Sequence, residues 1–192
     1  MLPQWKGLTV VCIASGPSLT RDDCALVEKS RLPTLAVNSS WQWARFAQVI
    51  YAGDEVWWKN YGPDIDIPAQ RWTGLQSAGE RYGVNVHGRY PGNTNSGARA
   101  IEFAMEAGAD RVLLLGFDCS VKNGTHCHGD HKRTKNPDAA RCQKWLRHFA
   151  DVQKMAVRRG IEIINCSRET AITSFNRMPL PEALQLSGVH RD

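Results

Sequence analysis

The densest group of chemically reactive side chains is the stretch His126-Cys127-His128-Gly129-Asp130-His131, with three imidazoles, one thiol and one carboxylate. A histidine with a pKa near neutrality can act as a general base, so one of these histidines, His131 and His128 included, is a candidate for this role. The same side chains bind zinc and other transition ions. A metal site on His126, His128, Asp130 and His131 is therefore the alternative, and a histidine-rich surface loop is the third.

One carboxylate, Asp118, follows the apolar run 111–115 after Gly116 and Phe117. A carboxylate just past a buried strand can bind a ribose hydroxyl or a metal, or hold a histidine in one tautomer. It can also simply cap its own loop. We include Asp118 among the candidate catalytic residues.

Four polar turns follow predicted strands or open a predicted helix: Ser15-Gly16-Pro17-Ser18, Asn38, Asp54 and Asn95-Ser96-Gly97. Glycine lets backbone amides approach a ligand, and the amides at a helix N-terminus attract anions. The first turn matches neither the Walker loop nor G-x-G-x-x-G. Each turn alone is ordinary, but four at one sheet edge indicate a ligand-binding crevice.

The elements that must position these residues alternate between short apolar runs and helical stretches, which predicts an α/β fold. The predicted strands are 8–13, 34–37, 48–52, 111–115 and 161–165, with short ones near 70–73 and 84–87. The predicted helices are 41–47, 55–61, 97–107, 137–159 and 180–186, with Ser96 capping the third and Pro137 starting the fourth. We expect a single domain over 1–192, with a polar active-site loop at 118–137 and a short helix and tail at 180–192.

The net charge of +5 is unevenly distributed along the chain. Residues 122–160 hold ten Lys or Arg and three Asp, a net +7. A local basic segment favours an anionic partner, either a nucleotide-bearing small molecule or a nucleic acid, although a solvated helix face explains it equally well. We expect Lys132, Arg133 and Lys135 near the crevice.

Composition excludes several classes of protein. Hydrophobic residues make up 42% of the chain and charged residues 22%, which excludes wholesale disorder. No apolar run approaches the roughly 20 residues of a membrane helix, and the first residues do not resemble a signal peptide. We therefore expect a cytoplasmic protein. Tryptophans 41, 43, 57 and 58 are expected mainly in the core, although they could stack on a base or sugar.

The turns and the histidine loop together resemble a known group of enzymes. Ser15-Gly16-Pro17-Ser18-Leu19 is similar to the G-x-G-P-S-L loop of bacterial CMP-sialic-acid sialyltransferases and of the 6-hydroxymethylpterin diphosphokinase-like (MptE-like) family. The stretch from Asn95-Ser96-Gly97 to Asp118 resembles their T-S-G, helix, strand and G-x-D. Asn38 matches a nucleotide-contacting Asn, and His131 matches the catalytic His. The chain also resembles uncharacterised bacteriophage and prophage proteins.

This resemblance implies a Rossmann-like, mostly parallel sheet with helices on both faces, and group transfer from a nucleotide or nucleotide-sugar donor. In the sialyltransferases the reaction needs no metal and a His deprotonates the acceptor hydroxyl, whereas the diphosphokinases use ATP and magnesium. The loop between Asp118 and His131 is shorter here and lacks tyrosine, which argues against sialic acid as the donor sugar.

Three hypotheses follow. The first is a nucleotide-dependent, glycosyltransferase-like transferase with His131 as base, located in a bacterial host's cytoplasm if the gene is of phage origin. The second is a metal-dependent enzyme using Mg²⁺ or a transition metal at residues 126–131. The third is a non-catalytic protein that binds a nucleotide or nucleic acid. A homo-oligomer is compatible with each of them, and the sequence names no acceptor.

Overall fold

A computed structural model describes residues 1–88 and 95–187 of the chain. Its framework is one sheet of eight strands. The strands are β1 (Thr9–Ile13), β2 (Thr34–Val37), β3 (Val49–Tyr51), β4 (Gln70–Thr73), β5 (Asn85–Val86), β6 (Arg111–Leu115), β7 (Glu162–Asn165) and β8 (Asn176–Arg177). Their order is β5-β4-β3-β2-β1-β6-β7-β8, and every neighbouring pair is parallel.

This strand order reverses between β1 and β6. The chain adds strands outward from β1 to β5, then crosses back to place β6 on the other side of β1. In an open parallel sheet, such a switch point leaves a crevice beyond the carboxyl ends of the two strands. The predicted Rossmann-like α/β fold is confirmed, and the switch point specifies where a ligand would bind.

Six helices cover the two faces of the sheet. They are α1 (Arg21–Ser30), α2 (Glu55–Tyr61), α3 (Gln76–Tyr82), α4 (Ser96–Glu106), α5 (Ala139–Arg159) and α6 (Leu180–Ser187). Helices α4 and α5 pack on one face and the other four on the opposite face. Side chains of β1 alternate between the two cores, Val10 and Cys12 to one and Val11 and Ile13 to the other, as the period of a strand requires.

No helix within the described ranges is long and apolar enough to cross a membrane. Helices α1 and α3 and strand β8 had no counterpart among the predicted elements. They are short or polar, so their apolar periodicity is weak. Residues 188–192 of the predicted tail lie outside the described residues.

Two predicted helix starts are wrong, each by one or two residues. Asn95, not Ser96, caps α4, because its side-chain oxygen accepts a hydrogen bond from the backbone amide of Ala98 at 2.8 Å. Asp138 caps α5 by accepting from the amide of Arg141 at 2.7 Å, so this helix does not start at Pro137. In both cases a short side-chain oxygen satisfies an otherwise unpaired amide of the first turn.

The predicted helix at 41–47 is also wrong: a short 3₁₀ turn spans Asn38–Gln42 instead. Its Ser40 hydroxyl donates to the carbonyl oxygen of Ile13 at 2.6 Å and accepts from the amide of Val37 at 3.0 Å. Ser40 is 1% exposed. This buried hydroxyl therefore ties the end of β2 to the end of β1.

Replacement of Ser40 by Ala should lower the free energy of unfolding by about 1–3 kcal/mol, because it removes two buried hydrogen bonds. Urea unfolding measures the change. The matched control is Ser77→Ala, which removes an exposed hydroxyl that donates to Glu55 and should change stability by less than about 0.5 kcal/mol. Equal effects of the two substitutions would contradict the role given to Ser40.

Candidate functional site

A cleft of about 440 Å³ lies at the switch point of the sheet. The loops after β1, β2, β3 and β6 border it, together with the start of α4, the 118–137 loop and the start of α5. Most of the predicted site residues line this one cleft: Ser15, Gly16, Pro17, Asn38, Asp54, Asn95, Ser96, Gly97, Asp118 and His131. Two others lie just behind it, Ser18 against Asp118 and His128 against His126.

The floor of the cleft is formed where the chain leaves β1 and β6. The amide of Gly16 donates to the carbonyl oxygen of Gly116 at 2.8 Å. A Cβ atom at Gly16 would lie 2.5 Å from that oxygen and would also overlap the carboxylate of Asp118. Gly116 itself has a φ of +67°. Both glycines are therefore required by close approach of the two chain segments.

Asp118 fastens the first of these loops to the second. It is 5% exposed, and its two carboxylate oxygens accept hydrogen bonds from the amide of Ser18 at 2.8 Å and from its hydroxyl at 2.7 Å. Burial raises the pKa of Asp118, and the two bonds from Ser18 oppose that rise. The carboxylate forms no hydrogen bond with a histidine in the described chain. Asp118 therefore joins the loop after β6 to the loop after β1, and it also borders the cleft.

Asn38 lies directly after β2 with a φ of +51°, in the left-handed region that asparagine tolerates better than most residues. Its side-chain oxygen is buried and has no hydrogen-bond partner among the described residues. A buried acceptor left unpaired costs about 1–3 kcal/mol. A ligand in the cleft that donates a hydrogen bond would recover this energy.

The start of α4 forms another part of the wall. Ser96 and Gly97, the first two residues of the helix, border the cleft. The Ser96 hydroxyl accepts from the amide of Gly53 at 3.0 Å, which holds the turn after β3 against this helix. The positive end of the α4 dipole therefore faces the cleft and favours an anion there.

Two cations, Lys135 and Arg141, border the same cleft. Burial raises the pKa of Asp54, and the nearby charge of Arg141 opposes that rise. Arg133 was expected at the crevice, but it pairs with Asp64 and stacks on the ring of Tyr61.

Sequence reasoning missed Arg141 as a site residue. Its position in the first turn of α5, three residues after the N-cap Asp138, could have pointed to it.

The three histidines of the loop, His126, His128 and His131, form a compact group that we call the histidine cluster. Their ring centroids are 4.3–5.2 Å apart. Burial, and then the neighbouring imidazoles, lower the pKa of His126 to about 3 and that of His131 to about 4. Burial also lowers the pKa of His128. All three rings are therefore neutral at pH 7.

Contacts around the histidine cluster hold it at the mouth of the cleft. The Nδ1 atom of His126 lies 2.9 Å from the hydroxyl of Ser15. The backbone of His131 is bracketed by Asn136, whose side chain accepts from its amide at 2.7 Å and donates to its carbonyl oxygen at 3.2 Å. His126 and His131 border the cleft.

Asp130 does not join the histidine cluster. It is exposed and its carboxylate accepts a hydrogen bond from the hydroxyl of Thr125. The set of four candidate metal ligands predicted from sequence therefore reduces to the three histidines, whose ligand nitrogens lie within 4.8 Å of one another.

The tryptophans lie mainly in the core, as expected. Trp41, Trp57 and Trp58 are all 4% exposed or less, and Trp57 also reaches the cleft while its indole N–H donates to Ser39 at 3.1 Å. Trp145 of α5 is half-buried and also borders the cleft.

No protein-family model matches the sequence, and a search of curated proteins gives no match either. The function must therefore be inferred from the geometry of the cleft and its residues.

Substitution of Gly16 by Ala should lower the free energy of unfolding by about 1–3 kcal/mol, because the new methyl group overlaps Asp118 and Gly116 in a packed region. Chemical denaturation measures the loss. Gly62→Ala is the matched control: its Cβ meets its nearest neighbour, Trp58, at 3.2 Å, and the change should stay below about 1 kcal/mol. A Gly16→Ala protein as stable as the wild type would rule out the close approach described.

Proposed function

We propose that this protein is a nucleotide-dependent group transferase whose donor binds in the switch-point cleft. The observation that carries the proposal is convergence: the Gly16 loop, Asn38, the N-terminus of α4 and the cations Lys135 and Arg141 border one cleft. Its volume lies within the usual range for small-molecule sites, about 300–1,000 Å³.

The anionic part of the donor would bind between the start of α4 and the two cations. The first turn of α4 supplies amides, and Arg141 and Lys135 supply positive charge. The glycine turn forms the adjoining floor, where the amides of Gly16 and Ser18 are already bonded to Gly116 and Asp118. Together the α4 amides and the two cations form a site for a phosphate or diphosphate.

The nucleoside would lie toward β2 and β3. The unpaired side-chain oxygen of Asn38 would accept a hydrogen bond from a ribose hydroxyl or an exocyclic amine. The buried ring of Trp57 offers apolar surface on the same side. A buried polar group that only the correct ligand satisfies gives specificity as well as affinity.

The reaction would take place between the phosphate end of the donor and the histidine cluster. The oxygen of an acceptor hydroxyl attacks the donor and forms the new bond to the transferred group. The bond between that group and the nucleotide phosphate breaks, and the phosphate oxygen keeps the electron pair. The acceptor's proton passes to the histidine cluster, of which His131 borders the cleft. Lys135 and Arg141 stabilise the departing phosphate.

Transfer of a glycosyl group is the form of this reaction that we propose first, with transfer of a diphosphoryl group second. The resemblance of the Gly16 turn, Asn38 and His131 to the sialyltransferase pattern supports this order. A neutral imidazole at the acceptor end also supports it, since it leaves a lone pair for the acceptor's proton.

Replacement of Arg141 by Met should weaken nucleotide binding by about 10–100-fold, because a charge-assisted hydrogen bond contributes about 1.5–3 kcal/mol. The measurement is a thermal-shift screen of nucleotides and nucleotide sugars followed by calorimetry of the best ligand. A ligand at 100 times its Kd should stabilise the wild type by about 2.7 kcal/mol.

Arg147→Met is the matched control, because it removes the same charge from an exposed position on the same helix, outside the cleft. It should leave the affinity unchanged. If no nucleotide or nucleotide sugar stabilises the wild type, and the protein instead binds DNA or RNA in a salt-sensitive way, the proposed function is wrong.

His131→Ala should reduce transfer by about 10²–10⁴-fold while nucleotide affinity stays within a few-fold of wild type, because the ring faces the acceptor end and not the phosphate site. Product formation with the identified donor measures the first quantity and calorimetry the second. His148→Ala, on α5 outside the histidine cluster, serves as the control. Full activity of His131→Ala would refute the assignment of proton transfer to the cluster.

A further inference from the structure

We propose that the histidine cluster binds one transition-metal ion, Zn²⁺ being the best fit, with its fourth coordination position open to the cleft. The inference deepens the proposed function at the same site, but the site itself stands on the contacts of the three histidines. These offer ligand nitrogens that all lie within 4.8 Å of one another. Tetrahedral zinc at about 2.0–2.1 Å from each nitrogen would separate them by about 3.4 Å, so closure by up to about 1.4 Å completes the set.

Two of the nitrogens have no other bond. The Nε2 atoms of His126 and His128 are both buried and lack a hydrogen-bond partner among the described residues. Buried polar atoms in native proteins are almost always paired. Two buried imidazole nitrogens without a partner, on rings that lie beside a third histidine, are what a site prepared for a cation presents.

A hydrogen bond donated to Ser15 would hold His126 in the tautomer that a metal needs. The Ser15 hydroxyl lies 2.9 Å from Nδ1, and with the hydrogen on Nδ1 the lone pair of Nε2 points away from Ser15. Histidine ligands of metals usually donate their other N–H to such an oxygen, which orients the ring. Asn136 fixes the backbone of His131 on the opposite side of the cluster.

The surroundings specify the type of cation. The carboxylate of Asp130 is exposed and bonded to Thr125, so it is not among the ligands. Cys127 packs against the core and is not among the side chains whose ligand atoms lie together. Three imidazoles without a thiolate or a carboxylate suit Zn²⁺, Co²⁺, Ni²⁺ or Cu²⁺ and disfavour Mg²⁺ and Ca²⁺.

The open position gives the ion a function. Since His126 and His131 border the cleft, the fourth ligand would be an oxygen from the cleft: water, the acceptor hydroxyl or a donor phosphate. Three histidines with one exchangeable ligand are the arrangement of catalytic zinc, which lowers the pKa of a bound oxygen acid. An acceptor hydroxyl bound there would lose its proton more readily, with water as the proton acceptor, because His131 would then act as a ligand in place of the base.

The test is titration of the metal-free protein with Zn²⁺ against a chromophoric chelator, without any nucleotide present. We expect one equivalent to bind with a Kd below about 1 µM. Co²⁺ added to the same unmodified protein should give the intense visible bands of a tetrahedral site. Binding weaker than about 100 µM, or cobalt bands of six-coordinate strength, would overturn the proposal.

Single-residue variants test which side chains bind the ion. His128→Ala should weaken zinc binding by at least about 100-fold, and Ser15→Ala by about 10-fold, since loss of an outer partner costs about 10–100-fold. His148→Ala is the control and should bind as the wild type does. Unchanged affinity in His128→Ala contradicts the site. If circular dichroism shows that the His128→Ala protein does not fold, His128→Gln is tested in its place, because glutamine has a side chain of similar size.

The proposed function and the proposed metal site can be refuted independently of each other. Nucleotide affinity is measured on the metal-free protein and zinc affinity on the nucleotide-free protein. Zinc binding without any nucleotide response supports the metal site and refutes the transferase. Nucleotide binding without zinc binding supports the transferase and refutes the metal site.

Discussion

The close approach of the chain segments that leave β1 and β6 is the constraint on which the rest of the site depends. The amide of Gly16 donates to the carbonyl oxygen of Gly116, and Asp118 accepts two hydrogen bonds from Ser18. These contacts join two loops that are about 100 residues apart in the chain. Because β1 and β6 are neighbours at the point where strand order reverses, their loops form the floor of the cleft.

The remaining walls are attached to this floor by buried hydroxyl groups. Ser40 binds the carbonyl oxygen of Ile13 at the end of β1, and Ser96 binds the amide of Gly53 after β3. Each hydroxyl links the end of one strand to a neighbouring segment through a buried hydrogen bond with the backbone there. The turn residues therefore keep their positions without a ligand, which lowers the entropic cost of binding one.

The histidine loop, like the rest of the cleft, is held in place by contacts with elements distant in sequence. Ser15 meets His126, and Tyr61 lies beside His131 at a centroid distance of 5.1 Å. The loop also carries its own constraint in Asn136. Crowding of three rings in a partly buried site disfavours protonation of any of them. The same crowding places the lone pairs of three neutral imidazoles close together. Both the proposed proton transfer and the proposed metal site use these lone pairs.

The amino-acid sequence by itself determined the fold class and the identity of most residues around the cleft. Continuous apolar runs such as 111–115 are local features, and the carboxyl ends of parallel strands must share an edge, so Gly16, Asn38 and Asp54 could be assigned to one site. Only the tertiary structure decided which side chains of the polar loop face that site. In the folded chain Arg133 pairs with Asp64, Asp130 accepts a hydrogen bond from Thr125, and Arg141 borders the cleft. The physical reason is that a loop lacks the repeating side-chain directions of a helix or a strand. Its side chains point toward partners that are distant in sequence, and no local sequence pattern identifies those partners.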